Sequence, residues 1–364
     1  MLKYLTLILV LFSLNVKAQL SGPKDVQVKM HYGYLMAHRS VMQHLVQGHI
    51  SGIEINLEKQ VNGTREFERL FARTNWGLGL TFLDLGNKEQ LGSAITPFTY
   101  LNFPLLKKSN ALSLRLGAGP GFITKPFNNI ENHKNIAIGS VININANVTL
   151  EGKFEVNNFT FGGGLTFNHF SNGSFTVPNL GINVPTLNLS AAYLINRKHS
   201  EGGPNFDLPP IKKDSTWKLD FIATTGIKEV YPINDRKYVV GNLYLWASKM
   251  FGYKSGLVGG LDFMFNPSIR KTYQNEFEIP ENLGISAFRP GAIAGYQFRY
   301  NKLELSIHIG AYLWSVYNTQ GPMYHRIGGR YAYNNGFMWN FSLKTHYAKA
   351  DYFEFGLGYR FIKK

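Results

Sequence analysis

The feature that most limits the fold of this chain is a two-residue rhythm of apolar and polar side chains along most of its length. From Lys302 to Ile309 the odd positions (Leu303, Leu305, Ile307, Ile309) are apolar and the even ones polar. Trp217, Leu219 and Phe221 alternate with Lys218 and Asp220. Near the end, Phe353, Phe355, Leu357, Tyr359 and Phe361 share one face, opposite Glu354, Gly356, Gly358 and Arg360. Successive side chains of a strand point to opposite faces, so each such segment predicts a strand with one apolar and one polar side. No window of about 20 residues is uniformly apolar, as a helical membrane span requires. With no cysteine in the chain, disulfides and thiolate metal sites are excluded.

A soluble sandwich alternates in the same way. Here the polar face carries many small residues, and aromatics gather at segment ends on the apolar face, as in a lipid-facing wall with interfacial girdles. Gly 37, Tyr 20, Phe 27 and only 17% charged residues fit that reading. The expected fold is all-β, a transmembrane antiparallel β-barrel of the outer membrane. Candidate strands are 25–37, 49–60, 74–85, 93–104, 110–118, 139–153, 157–170, 183–197, 216–228, 236–250, 254–266, 286–300, 302–314, 337–348 and 351–362. These are fifteen, an odd number where a barrel with both termini in the periplasm needs an even one. The expectation is therefore about 14 strands, with an eight-stranded catalytic barrel plus a second unit as the alternative.

The N-terminus has Lys3, an apolar run from Tyr4 to Leu14, and Val16-Lys17-Ala18 at its end. The run is too short to span a bilayer as a helix and has the layout of a signal peptide, residues 1–18, cleaved after Ala18. The rest divides into 19–197, a linker at 198–215 (Gly202-Gly203-Pro204, Pro209-Pro210), and a second barrel half, 216–364, of unknown role. A faint duplication relates Phe161-Gly162-Gly163-Gly164 to Phe355-Gly356-Leu357-Gly358. The net charge of +15 suits an anionic partner, and after export lipopolysaccharide phosphate is the available one. A generally basic proteome accounts for the charge equally well. The basic residues are dispersed without a basic helix or an RNA-binding aromatic motif, so nucleic acid is not expected as a partner.

The densest chemical signal runs from Phe161 to Asn183. Alternation places Phe161, Leu165, Phe167, His169 and Ser171 on one side of a strand, with Gly162, Gly164, Thr166 and Asn168 on the other. An imidazole and a hydroxyl on a lipid-facing wall are expensive unless they lie at the interface or do chemistry. A histidine two residues from a serine on one face is placed to act as its general base, and Asn172 follows with an amide donor for an oxyanion. Alone, His-x-Ser is a short pattern that arises by chance.

The whole segment resembles the active-site strand and loop of the lipid A 3-O-deacylase (PagL) family, acyloxyacyl hydrolase-like enzymes of the outer membrane. That family's pattern is His-x-Ser-Asn, a short loop, then Pro-Asn-x-Gly-Ile and an acidic residue. His169, Ser171 and Asn172 match the first part; Pro178, Asn179, Gly181 and Ile182 match the second at the same spacing. The resemblance implies an eight-stranded outer-membrane barrel that hydrolyses the ester-linked acyl chain at the 3 position of lipid A without a cofactor. It implies Ser171 as nucleophile, His169 as base and Asn172 as oxyanion stabiliser, with lipid A and membrane lipid as partners. It is specific over about 15 residues, compatible over 25–197, and leaves 198–364 outside. Where the family has a glutamate, this chain has Asn183. An asparagine accepts from an imidazole N–H and holds its tautomer, but supplies no negative charge.

Other features carry less. His38, His44 and His49 cluster between the first two strands without a carboxylate or cysteine at ligand spacing, so they read as loop histidines rather than a metal site. Gly117-Ala118-Gly119-Pro120-Gly121 lacks the lysine and helix of a phosphate loop. Arg39, Lys125 and Lys134 suit lipid A phosphates or ordinary solvated loops equally. Two functions remain open: a lipid A esterase, and a non-catalytic barrel acting as channel or interaction protein. An interior plugged by side chains such as Arg115 and Lys218 argues against the channel.

Overall fold

The computed structural model describes residues 24–59, 66–71, 74–106, 109–195, 213–233, 236–277, 286–316, 320–347 and 349–362. The expected signal segment 1–18 and most of the linker 198–215 lie outside them. The described residues form two closed antiparallel barrels of eight strands each. The first comprises β1 (Lys24–Tyr34), β2 (His49–Lys59), β3 (Asn75–Asp84), β4 (Ser93–Leu106), β5 (Ser109–Ile123), β6 (Ile142–Val156), β7 (Phe159–Ser171) and β8 (Ile182–Leu194). It closes by pairing β1 with β8, Val28 opposite Ala191. The second comprises β9 (Trp217–Lys228), β10 (Tyr238–Met250), β11 (Ser255–Phe265), β12 (Phe288–Tyr300), β13 (Leu303–Tyr312), β14 (Met323–Ala332), β15 (Phe337–His346) and β16 (Lys349–Ile362). It closes by pairing β16 with β9, Leu357 opposite Ala223. Helices α1 (Glu66–Leu70) and α2 (Ser268–Phe277) sit in connections.

The β-barrel wall is as the alternation predicts, but the strand number is not about 14 in a single wall. It is eight and eight, so the alternative of an eight-stranded barrel plus a second unit is the nearer one, with the second unit itself an eight-stranded barrel. The missing strand is β14, MYHRIGGRYA. Its inward positions are Tyr324, Arg326, Gly328 and Arg330, and its outward row includes His325 and Gly329. The outward row keeps Met323, Ile327 and Tyr331, but His325 and Gly329 interrupt it, so the alternation is broken rather than continuous.

Eight strands enclose a space just wide enough for side chains, and both interiors are full. In the first barrel Arg115 donates to both oxygens of Glu54 (2.6 and 3.2 Å) and to Thr149 Oγ1 at 3.1 Å. Lys29 pairs with Glu151 at 3.0 Å. Lys218, in the second barrel, is buried and paired with Asp214. In the same barrel Arg326 donates to Asp262 at 2.5 Å and to Glu354 at 2.8 and 3.2 Å. Arg360 bridges Asp220 and Glu304 through four bonds of 2.6–2.8 Å. Outward rows such as Val28, Met30 and Tyr32, or Phe355, Leu357 and Tyr359, are exposed and apolar.

One end of the first barrel is sealed by an apolar plug. Leu35, Met42, Leu45, Leu85, Leu91 and Ile138 from the connections pack on Phe170, Ile182 and Val184 from the strand ends. Phe170 is fully buried there. Because faces alternate, anchoring Phe170 inward turns His169 and Ser171 to the outside of the wall.

Candidate active site

His169 stands opposite Asn183 in the β7–β8 register, so the base and its partner belong to one hairpin. His169 Nδ1 and Asn183 Oδ1 are 2.6 Å apart. The Asn183 Nδ2 donates in turn to His38 Nδ1 at 3.0 Å. This fixes the direction of the chain. An asparagine that gives its N–H to His38 presents its oxygen to His169, so His169 carries its proton on Nδ1 and keeps a lone pair on Nε2. Among the described residues Nε2 has no hydrogen-bond partner.

Ser171 ends β7 on the same outer row and is buried by the loop that follows. Its Oγ accepts from Asn179 Nδ2 at 3.0 Å and from the Gly173 main-chain N–H at 3.2 Å. Asn172 uses its donors differently from the expected oxyanion role. Its main-chain N–H goes to Asn179 Oδ1 at 3.1 Å, and its Nδ2 to Ser140 Oγ at 2.8 Å and Thr176 O at 2.9 Å. It braces the loop, while the donors turned to Ser171 Oγ come from Gly173 and Asn179.

The loop motif has clear mechanical reasons. Gly181 has φ +87°, a region side chains avoid. A Cβ there would stand 3.0 Å from His169 Cε1, so glycine makes room for the imidazole. Pro178 follows a cis peptide bond and Asn179 bridges to Ile138 of the plug. Gly173, at φ +60°, lies so close to the ring of Phe353 that a Cβ would reach 2.4 Å from it.

Phe353 belongs to the second barrel, and it is one of several such contacts. Ser174 Oγ donates to Ala350 O at 3.1 Å. Glu229, just past β9, donates its N–H to Ser174 O at 2.8 Å, and its carboxylate accepts from the Val177 N–H at 3.1 Å. Lys237 donates to Phe175 O and to Thr176 Oγ1 and lies 4.1 Å from the Phe175 ring. The loop after Ser171 is therefore held between two barrels.

Of the residues singled out from the sequence, the structure joins His169 to Asn183 and Ser171 to Asn179, whose Oδ1 also accepts from the Ser171 hydroxyl at 3.4 Å. Among the described residues no hydrogen bond links Ser171 to His169. Sequence reading passed over His38 as a loop histidine and did not reach Glu229 or Lys237. The three N-terminal histidines go separate ways: His44 bonds Val41 O and Lys134 O, and His49 stacks on Tyr32. His38 arrives through barrel closure. Closing β1 on β8 sets Gly33 opposite Thr186, and continuing that ladder brings Met36 N to Asn183 O at 2.9 Å. Glu229 and Lys237 come from the other barrel, and no local pattern announces them.

Residues 51–192 match the family model described as lipid A 3-O-deacylase (PagL), and residues 217–364 match the one described as acyloxyacyl hydrolase, C-terminal domain. The second half, expected to fall outside the resemblance, thus has a family match of its own. Two solved structures align with the chain at low identity. A triple mutant of the Rhodopseudomonas blastica porin is 9% identical, covering 93% of this chain and 99% of its own, with a TM-score of 0.18. CdiB from Acinetobacter baumannii is 8% identical, covering 94% of this chain and 60% of its own, also at 0.18. No curated protein matches the chain. With the two models together spanning most of its length, the chain belongs to the PagL family of lipid A 3-O-deacylases.

Proposed function

We propose that this protein is an outer-membrane serine esterase that removes the ester-linked acyl chain at the 3 position of lipid A, with Ser171 as nucleophile and His169 as general base. The observation that carries this reading is the polarised chain His38–Asn183–His169, which leaves Nε2 basic on the face that holds Ser171. In the reaction, Nε2 takes the Ser171 proton as Oγ attacks the ester carbonyl. The imidazolium then protonates the departing sugar oxygen, and water hydrolyses the acyl-serine with His169 again as base. Donors near Oγ, the Gly173 N–H and Asn179 Nδ2, are placed to stabilise the oxyanion, with Asn172 holding their loop. Asn183 fixes the tautomer but brings no charge to the imidazolium.

In this reading the chain is exported by residues 1–18, and the loop-rich end faces outward. Arg39, Lys125 and Lys134 are exposed at that end, where lipid A phosphates lie. The filled interiors, with Arg115 and Lys218 buried and paired, weigh against a channel. The cross-barrel grip on the 172–181 loop weighs against residues 19–197 sufficing alone. Mass spectrometry of lipid A from cells expressing the wild type and Ser171→Ala tests the proposal. The expected result is loss of one hydroxyacyl chain with the wild type only. Unmodified lipid A in both strains, with both proteins assembled in the outer membrane, overturns it.

A further inference from the structure

The barrels touch at their loop-rich ends through the 172–181 loop. At their other ends Phe71, just after α1, packs on Phe298 and Tyr300 with ring centroids 5.5 and 4.7 Å apart. Between these contacts they leave a crevice of about 540 Å³ whose lining is almost wholly apolar. Ile142 and Ile144 of β6 form one wall, and Phe341, Phe353 and Phe355 of the second barrel form the other.

The crevice reaches Asn172, the residue that follows the proposed nucleophile. Ile144 stands directly opposite Ser171 in the β6–β7 register, which sets two side chains on the same face about 5 Å apart. From there the second barrel's wall descends as a ladder of rings. Phe353 stacks on Phe341 (5.5 Å, 18°), Phe341 pairs with Phe355 in the register, and Phe355 lies 5.5 Å from Trp339. Each two-residue step along a strand is about 6.6 Å, so the ladder tracks an extended hydrocarbon chain. A sugar or phosphate placed there would leave its hydrogen bonds unmet. The volume is that of a ligand pocket, within the usual range of about 300–1,000 Å³.

We infer that this crevice seats the acyl chain of the ester that Ser171 attacks, and that the second barrel, through Phe341, Phe353 and Phe355, sets the chain length accepted. The inference rests on the reading of Ser171 as nucleophile. The test uses the full-length protein in detergent micelles with p-nitrophenyl esters of graded acyl length, comparing wild type, Thr225→Trp, Phe341→Ala and Ser171→Ala. Thr225 lines the crevice with an exposed side chain, so tryptophan there shortens it. Each buried methylene is worth about fourfold in binding. Thr225→Trp should therefore lower the long-to-short ratio of kcat/KM about tenfold or more, and Phe341→Ala should move the best substrate two or more carbons longer. Heat-modifiable electrophoretic mobility checks that each variant is folded. Identical length profiles in wild type and both crevice variants, with Ser171→Ala inactive, overturn the crevice and leave the esterase standing. Equal rates in wild type and Ser171→Ala, or no hydrolysis at any length, overturn both.

Discussion

The two barrels have the same strand number and closure, yet they spend their polar residues differently. The first holds an interior of amides and hydroxyls around one arginine, with Asn56 bonded to Glu54 and Gln27, Asn102 to Glu58, and Asn188 to Thr166. Its seventh strand carries His169 and Ser171 on the outside. The second has a denser ionic interior, where Arg326, Arg330 and Arg360 are all buried against Asp220, Asp262, Glu304 and Glu354. Its seventh strand presents Leu343 and Thr345 on the corresponding outer row, with no His-x-Ser pair. In the proposed reading one barrel carries the chemistry, and the other holds the loop that follows Ser171. Fold alone does not distribute function; the outward residues of one strand end do.

The largest expected effect tests that division directly. His169→Ala should lower ester hydrolysis about 10⁴-fold without changing barrel assembly. A fall of less than tenfold in purified protein would break the assignment of chemistry to the first barrel. Next comes the ionic core. Arg326→Met leaves Asp262 and Glu354 facing each other without their cation, a change of about 3–5 kcal/mol. Arg115→Met strands only Glu54 among its ion pairs and should cost less. Thermal unfolding followed by heat-modifiable mobility reads both. Equal losses would show that the contrast between the interiors has no energetic content.

Intermediate in size is the tautomer relay. Asn183→Leu removes the acceptor that holds His169 Nδ1–H and should lower kcat about 100-fold with little change in KM. Asn183→Glu restores the missing negative charge and should raise kcat about tenfold above wild type. A wild-type rate in Asn183→Leu would mean that the hydrogen bond does not orient the base.

Much of the fold was legible in the chain because the bilayer demands an apolar side chain at each outward position, that is, at every second residue of a strand. That demand wrote β7, β13 and β16 plainly. The alternation was missed at β14, where His325 and Gly329 fall between the outward Met323, Ile327 and Tyr331 and break the apolar row. Closure was illegible for a different reason. Whether β8 returns to β1 or runs on to β9 changes no local alternation, so one wall and two barrels look alike from the sequence. The nearness of His169 to Asn183 was readable because they stand opposite each other in one hairpin with fixed register. His38 reaches Asn183 only through closure, and Glu229 reaches Val177 only across the barrel interface.

The smallest predicted effect concerns that interface, and it separates a companion barrel that merely stands nearby from one that shapes the site. The Glu229 carboxylate accepts the Val177 N–H at 3.1 Å and lies 3.5 Å from the Lys237 ammonium, which itself holds Phe175 O and Thr176 Oγ1. Glu229→Leu leaves a buried N–H unmet and frees Lys237 from its counter-charge, a local change of about 1–3 kcal/mol. The Gly173 N–H and Asn179 Nδ2 that meet Ser171 Oγ ride on this loop. A looser loop places them less well in the transition state, so kcat should fall about threefold to tenfold with the assembled fraction unchanged. An unchanged kcat in Glu229→Leu would reduce the second barrel to a wall beside the site rather than a part of its positioning.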